Sequence, residues 1–363
     1  MFPMSGGRAP GDRARFRVFE LCDRFSAILQ CEDPTSRSSF RLDVQKSLGC
    51  VKDRVRLRHT FHVQRILGPA AFAATFAIFS LSCGASDGSA WQRAVQAAAR
   101  PAPEARIVVV DVSTGRLLAA HRLGEAAHTL AAPGSTLKPL VLYSLIAAGR
   151  WNPQNRVACN RRLVVAGHSL ACPHPAAPPF DAREALTWSC NSYFAAVARS
   201  LAPGELAGIL RPTGLLDLTG LGANEAVAEF RAPRTVDDEE LALLGVEGIR
   251  VSPLELAEAY RWLALQMAAH ADAPATRVVR AGLMDSASFG MAGEASLGGY
   301  SVAGKTGTAE GAASARTHGW FAGLAPAAHP QVVIVVFEPA GRGADAAHLA
   351  GEILARAAGE ERR

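Results

Sequence analysis

Strand-like segments at both ends of one stretch of chain, with helices between them, constrain this sequence more than any other feature. Residues 106–112 (RIVVVDV) and 116–121 (RLLAAH) alternate or run apolar and are joined by Ser113-Thr114-Gly115, so they form a hairpin. Residues 300–309, 318–324 and 332–337 are three more strand-like runs, followed by a helical pattern over 344–357. Between these ends lie helical patterns, including 182–201 and 253–268, and the all-round apolar segment 139–148, a buried helix stopped by Gly149. Early and late strands then pair in one antiparallel sheet with a large helical insert, an α/β (α+β) architecture spanning residues 91–363.

The positive charge of the chain lies elsewhere. Formal net charge is +5 over 363 residues. Residues 1–65 hold thirteen Lys+Arg against seven Asp+Glu, and the remainder is close to neutral. That distribution excludes a nucleic-acid footprint on the folded part. Residues 66–81 (ILGPAAFAATFAIFSL) carry no charge, follow four arginines (Arg54, Arg56, Arg58, Arg65), and precede a small polar stretch beginning at Cys83. This is the pattern of a signal anchor or, with Cys83 as acylated cysteine, a lipoprotein-type signal spanning 66–83. Residues 1–50 show no helix or strand period. They are expected to be a disordered cytoplasmic tail or an extension from a mis-called start. The basic flank stays in the cytoplasm, which puts the folded part outside the membrane, in the cell envelope.

In an oxidising compartment, Cys159 and Cys172, thirteen apart in one loop, are expected to form a disulfide. A zinc site with His168 or His174, and two unpaired thiols, are the alternatives. The spacing matches no common zinc finger, which weighs against the zinc reading.

Three short motifs carry the chemistry. Ser135-Thr136-Leu137-Lys138 opens the buried helix, Ser189-Cys190-Asn191 lies in the helical middle, and Lys305-Thr306-Gly307 lies on a late strand. Ser135 and Lys138, at i and i+3, share one face of the first helical turn. A desolvated lysine near a second cation loses its proton and can then deprotonate a serine. Gly307 leaves room for a substrate against the backbone, and the amides of Ser135 and Thr308 can form an oxyanion hole. Lysine usage singles out the same positions. The chain has four lysines against 34 arginines, and the only two after residue 65 are Lys138 and Lys305. Arginine serves the rest of the surface but cannot act as a base.

In this order and spacing the motifs resemble those of penicillin-binding proteins and serine β-lactamases. The likeness extends to the flanks: APGSTLKP (132–139), ALTWSCNSYF (185–194), GIRVSPLELA (248–257), VAGKTGTAE (302–310) and HGWFAGLAP (318–326) resemble segments of the penicillin-binding protein transpeptidase domain. The resemblance implies a β-lactamase/transpeptidase-like fold and a D,D-transpeptidase or D,D-carboxypeptidase acting on D-alanyl-D-alanine stem peptides of peptidoglycan. It implies Ser135 as acylated nucleophile, Lys138 as its base, Ser189 as proton relay and Asn191 as holder of the substrate amide. Lys305 would supply positive potential, Thr306 and Thr308 would hold the terminal carboxylate, and β-lactams would inhibit covalently. Wall-synthesis proteins are the implied partners, and the resemblance implies no metal and no organic cofactor. A β-lactamase, or a non-catalytic penicillin sensor or scaffold module, is the alternative. No Glu-x-x-Leu-Asn stretch like that of class A β-lactamases is present, and the second motif is Ser-x-Asn rather than Ser-x-Val. Only about 20 residues separate the apolar run from the first strand, which implies a stand-alone transpeptidase module.

Overall fold

A computed structural model of the chain describes residues 25–30, 41–46, 88–172, 174–310 and 317–361. The chain divides into two units, Met1–Gly84 and Ala85–Arg363. In the first, β1 (Phe25–Gln30) pairs antiparallel with β2 (Arg41–Lys46), Phe25 opposite Lys46. The sequence shows no strand period there. The apolar run 66–81 and Cys83 lie outside the described residues. Among the described residues no helix is long and apolar enough to cross a membrane.

The second unit is organised by β3 (Arg106–Asp111), whose Ile107, Val108, Val109 and Val110 are all buried. A strand covered on both faces reads as an unbroken apolar run, and its alternate residues must enter two separate cores. Ile107 and Val109 join a cluster with Trp91, Val95, Phe321, Ile334 and Ile353, while Val108 and Val110 join another with Leu140, Val333, Val335 and Trp320. The sheet order is β4-β3-β11-β10-β9, antiparallel throughout. Its members are β4 (Leu117–His121), β9 (Ala303–Glu310), β10 (Thr317–Ala325) and β11 (Val332–Glu338). Val110 pairs with Val333 and Trp320 with Gly307, so both chain ends share one sheet as the sequence predicts. At the β3–β4 turn the Asp111 carboxylate accepts hydrogen bonds from Ser113 Oγ (2.7 Å) and the Thr114 amide (2.7 Å), and Gly115 takes φ +70°.

One face is covered by α1 (Gly88–Ala98) and the closing helix α10 (Gly343–Glu361), the former not foreseen from sequence. The helical insert covers the other face. It runs through α2 (Leu123–His128), α3 (Lys138–Ala147), α4 (Ala182–Thr187), α5 (Asn191–Ala198), α6 (Glu205–Leu210), α7 (Val236–Leu243), α8 (Pro253–Ala269) and α9 (Pro274–Ser288). The minor pair β7 (Glu229–Phe230) and β8 (Ile249–Arg250) lies within it. Helix α8 starts at a capping box, Ser252 with Glu255, and is the long element packed against β3 and β11.

Two local expectations change. Residues 182–201 do not form one helix. Helix α4 ends in a Schellman arrangement, with the Ser189 amide donating to the Leu186 carbonyl (3.2 Å) and the Cys190 amide to the Ala185 carbonyl (3.0 Å). Ser189 occupies the left-handed position, φ +54°, that glycine usually fills. The segment carrying Cys159 and Cys172 is not an irregular loop either. It contains the hairpin β5 (Arg162–Val165) and β6 (His168–Ala171). Its two-residue turn, Ala166-Gly167, has φ +45° and +87°, the positive values a primed turn requires.

Candidate active site

The first motif begins as a 3-10 turn, Gly134–Leu137, leading into α3 with Pro139 at its start. A 3-10 turn eclipses i and i+3, so Ser135 and Lys138 lie on one edge even though the first turn is not yet α-helical. The turn is fixed by backbone from two sides. The Gly134 amide donates to the Gly245 carbonyl (2.9 Å), and Gly245, at φ +69°, leaves no room for a Cβ against the Gly134 backbone. On the other side a Cβ on Gly307 would stand 2.5 Å from the Pro133 carbonyl oxygen, and one on Gly134 would stand 3.1 Å from the Thr308 nitrogen. The Gly307-Thr308 backbone thus abuts the turn that carries Ser135. Side chains complete the hold. Trp320 Nε1 (3.0 Å) and His318 Nε2 (2.8 Å) both donate to the Ala132 carbonyl, and Tyr260 Oη donates to the Thr136 carbonyl (3.0 Å). Burial lowers the His318 pKa, which suits a neutral ring with its proton on Nε2.

Lys138 and Lys305 are both completely buried. Lys138 Nζ lies 3.0 Å from the Ser189 carbonyl, 3.3 Å from Ser189 Oγ and 2.7 Å from Asn191 Oδ1, and 5.1 Å from the centre of the Phe194 ring. Lys305 Nζ donates to Ser189 Oγ (2.8 Å) and to the Thr306 carbonyl (3.0 Å). Desolvation lowers Lys138 to about 8, opposed by the neighbouring Cys172 and Cys190 sulfurs. Desolvation, then the charge of Lys138, holds Lys305 well below the usual lysine range.

The Ser189 hydroxyl therefore bridges two amines. A hydroxyl has one proton to give, so it accepts from one amine and donates to the other. Neutral Lys138 suits the donated bond: its two N–H groups serve the Ser189 carbonyl and Asn191 Oδ1, and its lone pair faces the Ser189 hydroxyl. Lys305, Ser189 and Lys138 are thus joined in one buried hydrogen-bonded chain. No described residue hydrogen-bonds the partly exposed Ser135 hydroxyl in this structure.

The structure gathers the three motifs as the sequence predicts, with differences of detail. Asn191 is engaged on both sides, by Lys138 and by Nδ2 donating to the Ala171 carbonyl (3.0 Å). Thr308 is exposed, its hydroxyl accepting from the Gly343 amide (2.9 Å), whereas Thr306 is buried beneath it. The Cys159–Cys172 bridge is not formed. Both are free thiols, because Cys159 Sγ faces His174 Nε2 (3.4 Å) and Cys172 Sγ accepts from the Asn191 amide (3.2 Å). His168 points away to Glu247 (3.2 Å). Sequence reasoning missed Gly245, Tyr260, His318 and Trp320. The last two had a usable signal, since i and i+2 on a strand share a face.

An antiparallel sheet with a helical insert, joined by a serine hydroxyl held between two buried lysines, defines a serine acyl-transfer scaffold. Residues 105–358 match the penicillin binding protein transpeptidase domain, and the chain belongs to that family. Three solved structures share its β-lactamase-like fold. A peptidoglycan glycosyltransferase from Burkholderia ambifaria superposes with a TM-score of 0.65 at 22% identity, covering 77% of this chain and 97% of that one. The transpeptidase domain of penicillin-binding protein 3 from Burkholderia pseudomallei gives 0.63 at 21%, covering 77% and 96%. Penicillin-binding protein 2 from Pseudomonas aeruginosa, in complex with WCK 5153, gives 0.62 at 19%, covering 74% of each chain.

Proposed function

We propose that the chain is a D,D-transpeptidase or D,D-carboxypeptidase of peptidoglycan working through an acyl-enzyme on Ser135. The observation that carries this reading is the Ser189 hydroxyl, shared between Lys305 (2.8 Å) and Lys138 (3.3 Å) beside the nucleophile turn. Ser135 Oγ attacks the carbonyl carbon of the penultimate D-alanine while its proton passes to neutral Lys138. The new oxyanion is held by the amides of Ser135 and Thr308. Ser189 then delivers a proton to the leaving nitrogen, the C–N bond breaks, and D-alanine departs. Lys138, now carrying the Ser135 proton, re-protonates Ser189, Lys305 supplies positive potential, and Thr306 and Thr308 hold the terminal carboxylate. In the second half-reaction an acceptor amine or water attacks the ester and Ser135 regains its proton. The chain is further proposed to sit in the cell envelope, anchored through residues 66–83 with the catalytic unit outside the membrane and wall-synthesis proteins as neighbours.

A β-lactam presents a strained amide to the same atoms and leaves a slowly hydrolysed ester. Purified chain incubated with a fluorescent penicillin is expected to take one covalent label, mapped by mass spectrometry to the peptide holding Ser135. Ser135→Ala abolishes it. Unlabelled wild-type protein overturns the reading.

A further inference from the structure

Cys190 stands between Ser189 and Asn191, and its side chain is absent from the proton path just described. It lies in a cluster of its own. The sulfurs of Cys159, Cys172 and Cys190 and a ring nitrogen of His174 all lie within 4.8 Å of one another. Cys172, His174 and Cys190 are buried, and Cys159 is half-buried. A tetrahedral zinc centre with metal–sulfur bonds of ~2.3 Å has sulfur–sulfur edges of about 3.8 Å. The cluster closes to that size with a contraction of about 1 Å at its widest, and the Cys159–His174 edge is already 3.4 Å.

We propose that Cys159, Cys172, His174 and Cys190 form a closed tetrahedral site for a zinc-class cation, and that the metal ties the second motif to the β5–β6 hairpin. This reverses the sequence expectation of no metal. The donor set selects the ion: three thiolates and one imidazole form a structural zinc set with no open coordination position.

The surroundings are those of a built site. His174 Nδ1 donates to the Pro175 carbonyl (2.7 Å), which fixes the tautomer and leaves the Nε2 lone pair turned toward Cys159. The Arg161 amide (3.4 Å) and Ser192 Oγ (3.7 Å) point at Cys159 Sγ, and the Asn191 amide (3.2 Å) points at Cys172 Sγ. Backbone N–H groups aimed at sulfur stabilise thiolates. Three thiolates and a dication leave one negative charge, next to the residues that hold buried Lys138. The hairpin supplies two ligands from its open end, where the Cys172 amide donates to the Arg161 carbonyl (2.8 Å). Binding releases the thiol protons to solvent and needs no redox partner. A disulfide would instead consume two of the same sulfurs, so the two states exclude each other.

The test of metal binding is independent of whether Ser135 is acylated. The full chain, purified under reducing conditions and given Zn(II) alone, is expected to retain one equivalent by elemental analysis. Co(II) in its place gives the visible bands of a tetrahedral site and the near-ultraviolet charge transfer of thiolate–cobalt bonds. Cys159→Ser with Cys172→Ser removes both signals, and His174→Ala weakens metal retention at least tenfold. Serine at Cys22, Cys31, Cys50 and Cys83 together leaves them unchanged. If a variant fails to fold, wild-type protein carries the test: a chelator should strip the metal and free three additional reactive thiols, which Zn(II) re-protects. Fully reduced wild-type chain that takes up neither ion, or metal that survives the double variant, overturns the site. Penicillin labelling that keeps its rate after the metal is stripped overturns the tie to the second motif; a loss of at least tenfold, restored by Zn(II), supports it.

Discussion

The nucleophile turn and the second motif face each other across the site but are held in different ways. Backbone grips the turn. Gly134 bonds to Gly245, Gly307 packs on Pro133, and the Ala132 and Thr136 carbonyls receive Trp320, His318 and Tyr260. The second motif rests on a left-handed serine, a helix end, two lysine side chains and a set of sulfurs. The first arrangement is a property of the sheet and the insert packed on it, and cannot shift without moving them. The second depends on protonation and side-chain chemistry, so its geometry can change while the fold stands. Variants on the two sides should therefore separate rate from stability.

The largest effect belongs to the side-chain half. Lys138→Arg keeps the charge but offers no lone pair, so acylation by penicillin is expected to slow about 10²–10⁴-fold in stopped-flow labelling. The same assay on wild-type protein gives the pH dependence. Lys138 is lowered to about 8, and only its neutral form takes a proton. The rate therefore rises with pH through that value and levels above it; a profile flat from pH 6 to 9 rejects Lys138 as the base. Ser189→Gly comes next. It loses the relay, on the order of 10²-fold in rate, yet removes a Cβ from a left-handed position and should hold or raise the melting temperature. A marked fall in that temperature would erase the contrast between the two halves.

The backbone half should respond in the opposite sense. Gly245→Ala places a Cβ against Gly134 at a positive φ, at a cost of roughly 2–4 kcal/mol. Calorimetry should show Tm falling by about 5–10 °C, with a smaller loss of labelling rate than in Lys138→Arg, because no reacting group is removed. The smallest effect is Tyr260→Phe, which removes one buried hydrogen bond to the Thr136 carbonyl and costs about 1 kcal/mol in denaturant unfolding.

The same division explains what was legible in the sequence. The sheet strands were found within two or three residues because continuous runs such as Ile107–Val110 record burial on both faces. The two lysines stood out because arginine replaces them elsewhere. The break at Ser189 was invisible: the 182–201 segment keeps helical propensity throughout, and tertiary contacts alone hold a serine in a glycine conformation. The cysteines misled for a related reason. Cys159 and Cys172 were matched because they are near in sequence, whereas Cys190 joins them only after α4 ends and the chain turns. Of the two histidines, His168 in β6 and His174 beyond it, only His174 turns inward, and composition does not distinguish them.

The pairing of β3 with β11 also sets a timetable. Val110 waits for Val333, far along the chain, so a growing chain holds the helix beginning at Lys138 long before it owns a site. Contacts that distant in sequence form late. No shortened product ending before β11 can have half the activity, because the central strand would lose its partner and the turn its backing. A messenger or ribosome fault that stops the chain before Val332 thus yields an inert product rather than a partly working one.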